Sequence, residues 1–244
     1  MQPQNRKTIR AYTADPVDEA LLNRLLADAM HAPTMGNMQL YSVVVTRDAQ
    51  MKRKLAPLHY GQPMVEGAAV LLTFCADFQR FTHWCQLRNA DAGYDNLLSF
   101  LNAAADTLLF TQTFITLAEG AGLGTCYLGT TLYKPQGIIE LLQLPRLTFP
   151  LATISVGWPN EDPAPTDRLP LAGIVHQETY HQASDDELNE LYAAKEALPE
   201  NRHFVDINHK ENLAQVFTDC RYTRRDNEAL SATILDALKR QQFL

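Results

Sequence analysis

Residues 95–130, DNLLSFLNAAADTLLFTQTFITLAEGAGLGTCYLGT, decide how the chain is read, because a long apolar segment, a glycine-rich turn and a β-forming run follow without a break. From about Asp95 to Glu119 the pattern predicts one helix, with Leu97, Leu98, Phe100, Leu101, Ala104, Leu108, Leu109, Phe114, Ile115 and Leu117 nearly all round it. A helix that apolar is central, or it buries a second face against another subunit. GAGLG, residues 120–124, closes it. A dinucleotide fingerprint needs a strand before the glycines and a helix after; the order here is reversed, so the first glycines predict a helix C-cap and turn. Gly129 differs, since a glycine after the short strand TCYLGT lets backbone approach a flat ligand closely.

Upstream, Asp15-Pro16-Val17-Asp18 is a helix start, and Leu21, Leu22, Leu25, Leu26, Ala29 and Met30 form one apolar stripe. That helix ends by Ala32, before Pro33. The turn-prone run HAPTMGNMQL, 31–40, is then fixed to YSVVV, 41–45, which predicts a buried first strand. MKRKLAPL (51–58) predicts a short helix, AAVLLTFCA (68–76) a strand, PQGIIELLQL (135–144) a helix and FPLATISVGWP (149–159) a strand. After Trp158 the Pro-rich segment NEDPAPTDRLP crosses the surface. Beyond Val175 the chain is mostly helical and polar: a capping box at Ser184-Asp185-Asp186-Glu187 precedes LNELYAAKEAL, and a second helix spans Asn227 to Gln241. Two parts are expected: a principal domain over 1–180, and a helical extension over 181–244 that packs on it or wraps a partner subunit.

The net charge of −7 argues against nucleic acid or an acidic membrane surface as the main partner. MQPQNRKTIR has no apolar core of the kind a signal peptide needs, and no run approaches bilayer-crossing length. Cys75, Cys85, Cys126 and Cys220 form no C-x-x-C pair and no disulfide-scaffold spacing, which reads as reduced thiols in a cytoplasmic protein. The seven histidines, at 31, 59, 83, 176, 181, 203 and 209, show no metal-binding spacing and read as single structural or surface residues. No metal is expected, and without G-x-S-x-G a hydrolase is set aside. Arg6-Lys7-Thr8-Ile9-Arg10 is more informative: three cations and a hydroxyl within five residues suit a phosphate and a nearby anionic group, although a solvated basic end is the commoner case. Arg168, in an acidic loop, is ambiguous by itself.

Taken together, these pieces resemble the nitroreductase family of FMN-dependent NAD(P)H oxidoreductases. RKTIRAY, APTMGNMQ, GAGLGTCYLG and DRLPLAGIVH look like its four flavin motifs, in the family's order, over roughly residues 5 to 180. GWP, the Pro-rich loop and RLP are similar to the branch with oxygen-insensitive NADPH nitroreductases and NADPH-flavin oxidoreductases. The resemblance implies an α+β fold with a mainly antiparallel sheet flanked by helices, built as an intertwined homodimer with two FMN sites at its interface.

It also implies roles. Arg6 and Thr8 would hold the FMN phosphate, joined by Arg168, with Lys7 also in the cofactor site, and Arg10 would lie near the N1–C2 edge of the ring. Gln62 would reach the polar edge, backbone at Tyr127, Leu128 and Gly129 would meet the ring near N5, and Pro33, Thr34, Met35, Asn37 and Gln39 would come from the other subunit. The implied activity is ping-pong hydride transfer through flavin N5, from NAD(P)H to a nitroaromatic, quinone or flavin acceptor. The flavin carries the chemistry, so no general acid or nucleophile is nominated. The chain departs from the family pattern at Thr166, where a Lys is common, and at Leu132, where a basic residue is common. Two other readings are an FMN-binding sensor or store with little turnover, and another flavin reaction such as reductive dehalogenation.

Overall fold

β2 (Val70–Asp77) and β4 (Thr148–Gly157) are buried along their whole lengths, as continuous apolar runs between turn signals predict. In the computed structural model, which describes residues 6–244, they form the centre of a four-stranded sheet. β1 (Tyr41–Thr46) lies beside β2 and β3 (Gly124–Leu128) beside β4, and every pairing is antiparallel. Register slips between the pairs Phe74–Ala152 and Cys75–Pro150. Pro150 has no N–H to give the ladder, so the bulge falls where pairing is weakest.

β1 corrects one expectation. It is an edge strand rather than a buried one, with Val43 and Val44 half-buried and Val45 exposed. Its β-branched run reports strand propensity, whereas burial depends on how many neighbours the sheet supplies.

Helices cover both faces of the sheet. α1 (Glu19–Ala29) is capped by Asp18, and α5 (Leu97–Gly120) by Asn96. Leu22, Leu25, Phe110 and Phe114 of these helices meet Phe74 and Ile154 in one cluster. Because strand side chains alternate, Leu71 points the other way. There it joins Leu128, Leu55 of α2 (Ala49–Leu55), and Met64 and Val65 of α3 (Pro63–Gly67). α4 (Gln79–Gln86) follows β2, and α6 (Pro135–Leu141) supplies Ile139 to a third cluster around Phe78 and Phe149. On its outer face α5 leaves Leu97, Leu98, Leu101, Leu108 and Leu109 between 43% and 67% exposed. A leucine stripe of this kind marks an interaction surface.

The glycine-rich turn behaves as predicted. Leu123 N–H bonds the Ala118 carbonyl at 3.0 Å and Gly122 N–H the Glu119 carbonyl at 3.1 Å, with Gly122 at φ +87°, which is a Schellman cap. Gly124 has a separate reason, since a Cβ there would lie 2.7 Å from Ile9 Cγ2. Gly124→Ala is therefore expected to cost about 1–3 kcal/mol by overpacking, measured by urea unfolding. Gly120→Ala, which meets nothing within 4 Å, serves as the control. An unshifted midpoint for Gly124→Ala would show that Ile9 moves aside freely.

The chain divides at 165/166 rather than at the expected 180/181: residues 166–229 form a second compact unit, while 230–244 belong to the first. The second unit holds α7 (Asp185–Ala197), whose Ser184–Glu187 capping box is formed, α8 (Pro199–Ile207), α9 (Leu213–Gln215), a π-helical turn over Val216–Arg221 and the start of α10 (Arg224–Arg240). Leu213 and Val216 are its buried apolar side chains among the described residues. The end of α10 and the residues after it join the first unit because Ala237, Leu238 and Phe243 enter the cluster with Phe78 and Phe149. There the Gln241 amide donates to the carbonyls of Pro145 (3.0 Å) and Thr148 (2.6 Å).

Candidate functional site

The basic N-terminal run is no loose end. Ile9 N–H donates to the Thr125 carbonyl of β3 at 2.9 Å, and the Tyr12 hydroxyl, packed on Gly157, bonds the Ile9 carbonyl at 2.7 Å and Ser155 Oγ at 2.8 Å. With the backbone pinned, the side chains take fixed places. The Arg6 guanidinium lies 3.4 Å from the Glu119 carboxylate and 3.4 Å from the Thr8 hydroxyl. Glu119 is almost fully buried at the end of α5; desolvation pushes its carboxyl up, and the Thr125 hydroxyl and Arg6 oppose that rise. Lys7 pairs with Asp162 at 2.5 Å. Arg10 has an exposed side chain, while its backbone N–H and that of Ala11 donate to Glu161 and hold that carboxyl below its usual range.

The second motif is assembled by a residue that sequence reading did not single out. Asp106, buried on α5, accepts from the Thr34 hydroxyl at 2.6 Å, Met35 N–H at 2.9 Å and Leu40 N–H at 3.3 Å. Thr34 Oγ1 then accepts from Gln39 N–H at 2.9 Å. These bonds hold Gly36, Asn37 and Gln39 at φ +54° within four residues. Left-handed backbone at non-glycine positions needs such support. Arg80 fastens the far end by donating to the carbonyls of Gln39 and Tyr41. Pro33, Met35 and Asn37 remain exposed on the loop. The signal for Asp106 was present as one acid inside the apolar helical run AAADTLLF.

The third motif continues β3 into a 3-10 turn over Gly129–Leu132. Leu128 is buried and Tyr127 exposed, and a Cβ at Gly129 would meet nothing within 4 Å, so backbone there is open to close approach. The Thr130 hydroxyl donates to Gln62 Oε1 at 3.3 Å, bringing Gln62 at the head of α3 onto this turn. His59 Nδ1 lies 2.9 Å from the same hydroxyl. Leu132 is half-buried against the cluster around Phe149, which accounts for an apolar residue there.

Arg168 lies in the second unit, where its guanidinium donates to Thr166 Oγ1 at 2.7 Å and the Asp167 carbonyl at 2.8 Å; Asp167 itself pairs with Lys195 at 2.7 Å. Within the first unit, Arg6 and Thr8 come together, and so do Gln62 and the Gly129–Thr130 turn. No hydrogen bond or ion pair among the described residues joins the Thr34–Gln39 group to either. Cations beside a hydroxyl suit a phosphate, and an amide beside bare backbone suits the edge of a flat heteroaromatic ring.

A family model described as the nitroreductase family matches residues 4–158, the span that carries β1 to β4, α5 and the first three motifs. The chain belongs to the nitroreductase family. Its relatives include the NAD(P)H-type FMN reductase of Bacillus subtilis, 36% identical over 178 residues, or 72% of each chain. The oxygen-insensitive NADPH nitroreductase of Salmonella typhimurium is 33% identical over 186 residues, 76% of this chain and 75% of that one. Among solved structures, a Bacteroides fragilis protein described as a candidate oxidoreductase is 59% identical and superposes with a TM-score of 0.97 over 98% of each chain. The nitroreductase fold is thus the expected α+β one. No helix among the described residues is long and apolar enough to cross a membrane.

Proposed function

We propose that this nitroreductase-family chain is an FMN-dependent NAD(P)H oxidoreductase that acts as a homodimer on nitroaromatic, quinone or flavin acceptors. One observation carries the reading: Arg6 and Thr8 are paired on a segment that Ile9 pins to β3, and the turn that follows β3 offers open backbone at Gly129 beside the Gln62 amide. FMN, when bound, would supply the redox chemistry, carrying hydride equivalents from NAD(P)H to an acceptor in two half-reactions. The chain's own part is to bind and orient.

Arg6 and Thr8 would hold the phosphate, with Lys7 also in the cofactor site; Arg168 is nominated as a further cation by the family resemblance alone. Arg6 is suited to this because Glu119 and Thr8 already fix its guanidinium before a ligand arrives. Arg10 would place positive charge near the N1–C2 edge of the ring, Gln62 would reach the polar edge, and backbone at Tyr127, Leu128 and Gly129 would meet the ring. The loop with Pro33, Thr34, Met35, Asn37 and Gln39 serves the site of the second subunit. Two features support the dimer: the exposed leucine stripe of α5, and the independence of that loop from the other two groups. Cys75, Cys85 and Cys126 are free and buried, which suits a reducing cytoplasm.

Arg10→Ala is expected to make the flavin potential more negative and slow reduction by about tenfold while FMN stays bound. Anaerobic stopped-flow and a redox titration measure both, and unchanged values would remove Arg10 from the ring. Steady-state turnover tests the function itself. NADPH or NADH oxidation with a quinone or nitroarene should give parallel double-reciprocal lines. Converging lines would contradict the ping-pong order, and absence of turnover would favour a store or sensor.

A further inference from the structure

His59 is a histidine that the proposed function leaves unused. It ends the short 3-10 turn Ala56–His59, it is fully buried, and its Nε2 has no hydrogen-bond partner among the described residues. Its Nδ1 lies 2.9 Å from the Thr130 hydroxyl, which lies 3.3 Å from Gln62 Oε1. Three side chains therefore form one chain of hydrogen bonds, running from a buried ring to the amide beside Gly129.

That chain has two self-consistent directions. In the first, Nδ1–H donates to Thr130, Thr130 donates to Gln62 Oε1, and the Gln62 NH2 faces away from Thr130. In the second, Thr130 donates to Nδ1 and accepts from a flipped Gln62 amide, which leaves Nε2–H as a buried donor with no acceptor. Buried N–H groups without acceptors are rarer in native proteins than acceptors without donors, so the first direction is favoured. A charged ring would need acceptors at both nitrogens. Burial instead pulls the His59 pKa down to about 4, so the ring is neutral near pH 7.

We infer that His59 is a positioning residue: as the Nδ1–H tautomer it holds the Gln62 amide, through Thr130, with its NH2 group outward. The site then presents a hydrogen-bond donor at this point and selects a ring edge carrying an acceptor such as a carbonyl oxygen. The ligand half of this inference rests on the flavin reading, whereas the tautomer does not.

Nitrogen-15 NMR of the histidine-labelled apoprotein reads the tautomer directly, with His59→Gln assigning the signal. A neutral Nδ1–H ring, perturbed in Thr130→Val, is the expected result. FMN titration forms the second arm. Thr130→Val should weaken FMN binding about three- to tenfold and shift the flavin absorption bands, and Thr130→Ser should restore both. An Nε2–H tautomer in the wild-type protein overturns the inference, as do unchanged affinity and spectrum in Thr130→Val. Failure of the wild-type protein to bind FMN would overturn the flavin reading and the ligand half with it, with the NMR arm still deciding the direction of the chain.

Discussion

Asp106→Ala is expected to destabilise the apoprotein by about 3–5 kcal/mol and to abolish tight FMN binding. The carboxylate accepts from the Thr34 hydroxyl, Met35 N–H and Leu40 N–H, and Leu40 is fully buried. Removing the acceptor strands these donors, each at a cost of about 1–3 kcal/mol where water cannot reach. It also loosens backbone at Gly36, Asn37 and Gln39, leaving their positive φ to the Arg80 bond on the Gln39 carbonyl and the Gln39 amide bonds to Asn37. Asp106→Asn should fall between, because its NH2 would face another donor while its oxygen serves the rest. Urea unfolding of the apoprotein measures the first effect and FMN titration the second. A loss below about 1 kcal/mol would show that the loop holds its shape without α5.

Arg6→Ala is expected to weaken FMN binding by about 10- to 100-fold while leaving riboflavin affinity nearly unchanged. Charge-assisted hydrogen bonds to a phosphate have that size, and riboflavin lacks the phosphate. Arg168→Ala should act in the same direction but less strongly. Its guanidinium must exchange bonds to Thr166 and Asp167 for the phosphate, whereas Arg6 keeps Glu119. Equal losses for FMN and riboflavin would point to damage at Glu119 rather than to a phosphate contact. Full flavin occupancy in either purified variant would refute that residue's phosphate role.

Much of the scaffold was legible because its signals are local. The stripe of α1, the length of α5, its glycine cap and the apolar runs of β2 and β4 each follow from a short window. What windows miss is pairing. β1 is an edge strand because the sheet ends there, which no property of YSVVV encodes. α4 escaped notice since QRFTHWCQ lacks a capping residue and mixes aromatic with polar positions. Phe243 sits in the core because residues far upstream leave room for it.

The site divides along the same line. Motif residues could be named from their types and order, yet their supports lie far away in sequence. Asp106 meets Thr34 across 72 positions, and His59 meets Thr130 across 71. An acid inside an apolar helix and a histidine ahead of Tyr-Gly-Gln are faint signals until the fold brings them to their partners.

The central claim is that this chain binds FMN where Arg6, Thr8, Gln62 and Gly129 are placed and cycles it with a nicotinamide. It is tested most directly by recording the visible spectrum of the purified protein during anaerobic addition of NADPH and, separately, of NADH. The expected result is a yellow protein with stoichiometric FMN that bleaches with at least one of the two and regains its colour when a quinone is added. A protein that takes up no FMN, or a yellow one that neither nicotinamide bleaches, would contradict it.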